Sequence, residues 1–173
     1  MKTLLMVNGT MGVGKTSVCR ALQRLLQPCV FLDGDWCWDM TPFTVTEETK
    51  AMVLDNISYL LNRYLACTAF DTVLFCWVMQ ERAIVEAVLS RLEQPCTVRL
   101  FTLTCSEEAL RERLQKDIEA GRREPGIVER SLSRLPLYAK MDSAKIDVSA
   151  CSAQEAAAWI ASMVERESGY AGI

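Results

Sequence analysis

Apolar residues along the chain recur in two alternating rhythms. Thr3-Leu-Leu-Met-Val7 is a short unbroken apolar run that stops at Asn8-Gly9, which predicts a strand buried on both faces. Val18, Ala21, Leu22, Leu25 and Leu26 then fall at helical spacing until Pro28 ends the pattern. Cys29 to Leu32 reads as a second strand, closed by Asp33-Gly34-Asp35. From Thr46 to about Tyr64 the inward positions are Val53, Ile57, Leu60, Leu61 and Tyr64, and Thr44 with Glu47 has the spacing of a capping box. Thr72 to Val78 predicts a third strand, followed by a helix from about Gln80 to Leu92. Thr97 to Leu103 is the fourth strand, and Ser106 opens a helix carrying Leu110, Leu114 and Ile118 that Gly121 interrupts. A polar stretch, Glu119 to Gly126, leads to a helix from about Ile127 to Leu135, with Pro136 as its kink or end. Lys145 to Val148 is a last short strand, and Ser152-x-x-Glu155 caps a closing helix with Ala156, Ile160 and Val164 inward.

Strands alternating with helices imply parallel β-α-β units with helices on both faces of one sheet, an α/β architecture. Neither a linker nor an internal repeat divides the chain, so residues 1–173 read as a single domain. Composition narrows the picture: with 50% apolar and 24% charged residues, the chain buries a core large enough to need no metal or disulfide staple. It has eight cysteines without a C-x-x-C pair, and no histidine, which argues against a zinc-finger pattern and excludes any His-based triad or general base. Cys29, Cys76 and Cys105 fall in apolar stretches, where reduced thiols act as small hydrophobes; a reducing, cytoplasmic setting is the expectation. The opening MKTLLMVNG is too short for a signal-peptide core, and the longest apolar run, Val73 to Met79, is far below a membrane span. A net charge of −3 argues against a general nucleic-acid surface, although six of the thirteen arginines lie between Arg111 and Arg134.

Between the first strand and first helix stands Gly9-Thr-Met-Gly-Val-Gly14-Lys15-Thr16, which fits G-x-x-x-x-G-K-[ST] in the strand-loop-helix context the motif requires. Its glycines let backbone amides turn inward, and those amides with the helix N-terminus present partial positive charge to a polyphosphate. Lys15 would reach the β- and γ-phosphates, and the Thr16 hydroxyl would coordinate Mg²⁺. Asp33 and Asp35 stand at the carboxyl end of the second strand, the edge where parallel sheets bind ligands. One carboxylate there can hold Mg²⁺ and the other can orient an acceptor hydroxyl.

At these residues the sequence resembles the small-molecule and nucleoside-monophosphate-type kinases of the P-loop superfamily. Leu32-Asp-Gly-Asp35 looks like the corresponding segment of adenylylsulfate and gluconate kinases and is similar to the Asp-x-Asp of shikimate kinases. The resemblance implies a three-layer fold with a five-stranded parallel sheet of order 2-3-1-4-5, ATP as donor, Mg²⁺ held by Thr16 and Asp33, and a mobile lid at about 119–135. It implies a nucleotide site made by Gly9, Thr10, Met11, Gly12, Val13, Gly14, Lys15, Thr16 and Ser17, with Arg113 packed on adenine and Arg122 in the lid. Arg123 lies in the same lid, while Arg130 and Arg134, at i and i+4 on one helix, would both reach the transferring phosphate. Lys15, Asp33, Asp35, Arg130 and Arg134 are thus the candidate catalytic residues.

The third strand departs from this pattern. No acidic residue stands at its carboxyl end, where Trp77 and Gln80 are found instead, and Asp71 lies at the wrong end. Trp36 to Phe43 and Trp77 offer aromatic walls for an acceptor, or simply core. The expected activity is ATP- and Mg²⁺-dependent phosphoryl transfer to a small molecule, whether a nucleotide, a hydroxyl-bearing metabolite or an antibiotic, by a monomer or homodimer with no nucleic-acid or membrane partner. The alternatives are a plain NTPase and a nucleotide-binding regulatory module.

Overall fold

In the computed structural model, which describes residues 1–168, strand β1 (Lys2–Asn8) is the axis of the molecule. The single-domain reading runs on through residues 169–173, which lie outside the described residues. Leu4 to Val7 are wholly excluded from water, and their side chains alternate between two cores as strand geometry demands. Leu5 and Val7 face a cluster that includes Val18, Cys19 and Leu22 of helix α1 (Lys15–Leu25) and Ile160 of helix α6 (Ala153–Ser168). Leu4 and Met6 face the other cluster, with Val53, Ile57 and Leu61 of helix α2 (Glu47–Ala66) and Val85 and Val88 of helix α3 (Arg82–Leu89). Two helical layers thus enclose one sheet.

The sheet contains β2 (Cys29–Asp33), β3 (Thr72–Trp77), β4 (Cys96–Thr104) and β5 (Ala144–Asp147), all parallel, in the order β2-β3-β1-β4-β5. This is the expected 2-3-1-4-5 topology, and it delivers every strand's carboxyl end to one edge. A third cluster lies beneath that edge, where Leu110 and Leu114 of helix α4 (Glu107–Glu119) meet Ile127 and Leu132 of helix α5 (Ile127–Ala139). All eight cysteines carry free thiols, and burial pushes Cys29 up to about 12, which keeps it protonated and unreactive.

Local details differ from the sequence expectations where side chains meet partners. Thr46, not Thr44, caps α2: its side chain accepts from the Thr49 amide at 3.1 Å, and the Thr49 hydroxyl returns the bond by accepting from the Thr46 amide. Glu47 takes a first-turn position instead, where its charge complements the helix dipole. Helix α3 is shorter than the expected span because Ser90 to Leu92 tighten into turns. Leu25, expected inward, is exposed. Helix α5 runs through Pro136 to Ala139, since Tyr138 beyond the proline is fully buried, and that aromatic burial holds the extra turn against the proline's cost of about 3 kcal/mol.

Candidate active site

The loop from Gly9 to Lys15 leaves the buried end of β1 and turns directly into α1. Asn8, fully buried, fixes its origin: the side chain donates to the Met79 carbonyl at 2.8 Å and accepts from the Gly9 and Met79 amides. That clamp between β1 and the chain beyond β3 was invisible in the sequence, where Asn8-Gly9 signals only a turn. Gly12 (φ 82°) and Gly14 (φ 108°) adopt backbone angles that L side chains avoid. At Gly12 a Cβ would also stand 2.4 Å from Leu114, so the third core cluster directly supports the loop.

Lys15 is only 8% exposed, and its ammonium donates to the carbonyls of Gly9 at 2.9 Å and Thr10 at 3.0 Å. Burial lowers its pKa, an effect opposed by the carboxylates of Asp35 and Asp33. A buried cation bonded to neutral carbonyls is poised to exchange them for phosphate oxygens. Thr16, on the next position of α1, donates to Asp33 Oδ2 at 2.6 Å, and Asp33 Oδ1 accepts from the Asp35 amide at 3.1 Å. Both Asp33 oxygens are thereby engaged, and the residue caps a short 3-10 turn over Gly34–Trp38. The Asp35 carboxylate has no hydrogen-bond partner among the described residues and opens into the cleft. Although solvent reaches it there, the protein around it strips enough hydration to raise its pKa, against the lowering influence of Lys15.

Thr16 and Asp33 form a hard-oxygen pair of the kind Mg²⁺ takes from a protein when phosphates and water complete its shell. Among the described residues, no group of three or more His, Cys, Asp or Glu could hold a metal, so these two fit an ion shared with nucleotide, not a dedicated cage. Asp33 pairs in register with Cys76, and so stands one strand away from the carboxylate position that β3 leaves empty of acid. Gly34 explains the aromatic there: Trp77 packs so close that a Cβ on residue 34 would lie 2.6 Å from the ring.

Two cavities open along this edge. The first, about 450 Å³, is lined by the loop from Met11 to Ser17 and by Arg113, Lys116, Asp117 and Arg122. Arg113 donates to the Val13 carbonyl at 3.1 Å and to the Val148 carbonyl, tying the loop to the chain that follows β5. Arg122 and Arg123 share one carboxylate: Arg122 donates to Asp117 Oδ1 at 2.7 Å, Arg123 to Oδ2 at 3.1 Å, and the Asp117 pKa is lowered accordingly. The second cavity, about 1150 Å³, takes Asp33, Asp35, Trp36, Trp77, Arg130 and Arg134 into its wall. Neither Arg130 nor Arg134 pairs with a carboxylate among the described residues. The helix that carries them is seated on the loop, because Thr10 donates to the Ser131 carbonyl at 2.9 Å with both residues buried.

Residues 5–132, most of the chain, match the AAA domain family. The chain belongs to the AAA domain family. Within it, the loop from Gly9 to Thr16 stands at the start of the matched segment and α5 at its end. Among curated proteins, a comparison of sequences finds no match. Solved structures with the same fold include a sugar kinase from Janibacter sp. HTCC2649, 14% identical over 95% of each chain with a TM-score of 0.69. The tunicamycin resistance protein of Deinococcus radiodurans is similar over 95% of this chain and 96% of its own, at 22% identity and a TM-score of 0.65. Shikimate kinase from Acinetobacter baumannii is similar over 96% of this chain and 95% of its own, at 20% identity and a TM-score of 0.64. This family member therefore has a P-loop kinase-like fold. No helix among its described residues is long and apolar enough to cross a membrane.

Proposed function

We propose that the chain is an ATP- and Mg²⁺-dependent phosphotransferase that moves the γ-phosphoryl group to a hydroxyl of a small-molecule acceptor. One observation carries this reading: the phosphate-loop cavity and the larger second cavity meet, and Met11, Thr16, Asp35 and Arg123 line both. A hydrolase needs room only for nucleotide and water, whereas two cavities joined at an unpaired carboxylate suit in-line transfer between two bound molecules.

Each side chain has a role that its surroundings support. Lys15 neutralises the β- and γ-phosphates once it leaves the loop carbonyls. Thr16 and Asp33 would hold Mg²⁺, which would supply neutralisation of phosphate charge when bound. Asp35 orients the acceptor hydroxyl and takes its proton as the hydroxyl oxygen bonds to the γ-phosphorus and the bond to the departing ADP breaks. Its raised pKa makes it a better proton acceptor than an ordinary aspartate. Arg130 and Arg134 face the same space with uncommitted guanidiniums suited to phosphoryl oxygens. Arg113 and Arg122 border the nucleotide cavity, and Arg122 with Arg123 closes on phosphate by leaving Asp117. The segment free to make that movement is the Gly121–Gly126 connection, because Thr10 seats α5 on the loop.

Incubation with ATP, Mg²⁺ and pooled hydroxyl compounds, with mass detection, tests the proposal. A compound that gains one phosphoryl group for each ADP formed supports it. ADP accompanied only by inorganic phosphate identifies an NTPase, and binding without turnover identifies a regulatory module.

A further inference from the structure

The second cavity differs in chemistry from the first. Its wall is dominated by Trp36, Trp38, Phe43, Val45, Leu54 and Trp77, and beyond the carboxylates and arginines at its floor, Asp39, Lys50 and Gln80 bring most of the remaining hydrogen-bonding groups. At about 1150 Å³ it exceeds the roughly 300–1,000 Å³ that houses a drug-sized ligand. Several of its apolar side chains reach solvent: Trp36 is 48% exposed, Phe43 66% and Val45 54%. Contiguous exposed apolar groups around a cavity mark a binding surface, whereas scattered ones mean nothing.

These aromatics are held in place. The Trp36 ring meets Phe31 edge-on at 5.3 Å, and the Arg20 guanidinium lies 5.3 Å from its centroid, so its outer face is presented at a fixed angle. Trp38 packs with Phe43 at 5.8 Å, and Trp77 is set against Gly34 and Phe75. Rigid aromatic walls continuous with an unpaired carboxylate favour a molecule with one polar reacting end and an extended apolar body. A polyol would fit poorly, because each hydroxyl turned toward these walls loses its water, at a cost of about 1–3 kcal/mol per unsatisfied group.

We infer that the acceptor is an amphiphilic hydroxyl compound whose aromatic or aliphatic body occupies the cleft walled by Trp36, Trp38, Phe43 and Trp77 while its hydroxyl lies at Asp35. This rests on the phosphotransferase reading for the hydroxyl's fate, but the apolar preference of the cleft is tested separately. The occupant is taken as a small molecule because the cleft leads to the catalytic carboxylates and the phosphate loop.

The probe is the dye anilinonaphthalene sulfonate, titrated by fluorescence with ADP saturating so that the nucleotide cavity is filled. One saturable site is expected, with affinity weakened about tenfold or more in Trp36→Ser and in Phe43→Ser. Trp36 is about half exposed and Phe43 more than half, so these changes leave the fold standing, which a thermal melt checks. Trp159→Ser is the control: Trp159 is equally exposed but lies on α6, away from the cleft, and its loss should leave binding unchanged. Aryl and alkyl alcohols should displace the dye in order of apolar area, while gluconate and shikimate should not. Absence of dye binding, indifference to both cleft substitutions, or displacement by the polyols but not the alcohols would overturn the inference. So would dye exclusion at rising protein concentration with self-association, which would make the patch an interface between copies. The two readings fail differently: dye results as expected without any phosphorylated product leave the cleft and remove the kinase, whereas phosphorylated polyols leave the kinase and remove the amphiphilic acceptor.

Discussion

The Thr16 hydroxyl donates to Asp33 across 2.6 Å, and that bond joins the first turn of α1 to the end of β2. Two segments seventeen residues apart thus converge on one point, and both lie at the edge between the two cavities. Both Asp33 oxygens are engaged, whereas the Asp35 carboxylate, two residues on, has no hydrogen-bond partner among the described residues; in the proposed function the first would hold Mg²⁺ and the second would meet the acceptor.

Asp33→Asn is therefore expected to raise the Mg²⁺ concentration needed for half-maximal turnover, because a neutral amide binds the ion poorly. Asp35→Asn is expected to leave nucleotide binding near wild type while lowering turnover about 10²-fold or more, the scale of a lost general base. Titrations of ATP and Mg²⁺ beside steady-state kinetics check both. An exchange of the two phenotypes would mean that the carboxylates have the opposite roles.

The pH dependence of stability offers an independent check on Asp35. Burial raises its folded pKa, chiefly by loss of hydration, so the folded state holds the proton more tightly than the unfolded chain. Its contribution to stability is full below the ordinary aspartate pKa and is lost as pH rises through the elevated folded value. Above that value the ionised carboxylate is a burden, and there Asp35→Asn should melt at or above the wild-type temperature while losing activity. The difference between the two proteins should shrink in acid, which melts across pH would show.

Thr10→Val tests the seating of the arginine helix. It removes the hydroxyl that donates to the buried Ser131 carbonyl at 2.9 Å, and the loss of that one hydrogen bond costs about 0.5–1.5 kcal/mol. Turnover should fall more than ATP affinity, since Arg130 and Arg134 lose their fixed distance from the loop, and Thr10→Ser should restore both. Arg130→Ala and Arg134→Ala should each lower turnover about 10²-fold or more with little change in melting temperature.

Gly34→Ala should destabilise the protein by about 1–3 kcal/mol, because the new methyl lies within 2.6 Å of the Trp77 ring. The double variant Gly34→Ala with Trp77→Leu should recover much of that loss, as read by denaturant melts. An additive double variant would show that the contact does not set the local packing.

Much of this architecture was legible because it is local. The alternation of a doubly buried run such as Leu4 to Val7 with helical spacing such as Val18, Leu22 specifies parallel β-α-β units, and the loop motif states its own chemistry. What escaped was set by distant partners. Nothing near Asn8 announces the Met79 backbone it clamps, and nothing near Thr10 announces Ser131, 121 residues away. Asp117 reads as one charge on a solvated helix until the chain reversal at Gly121 brings Arg122 and Arg123 back onto it. Pro136 reads as a kink or an end because its cost is local while the burial of Tyr138 that opposes it is tertiary. Gly34 reads as a turn residue, and only the fold shows the indole against it.

Lys15→Ala removes the ammonium now bonded to Gly9 and Thr10, and should abolish measurable ATP use; Lys15→Arg should not restore it, since a planar fork does not fit a pocket built around a compact cation. The most direct test of the whole account follows the γ-phosphoryl group itself, with labelled ATP, pooled amphiphilic and polar alcohols, and wild type beside Lys15→Ala and Asp35→Asn. Label should appear in one acceptor in proportion to ADP formed by the wild type, with none for Lys15→Ala and about a hundredth or less for Asp35→Asn. Label released only as inorganic phosphate, or equal transfer by wild type and Asp35→Asn, would contradict it.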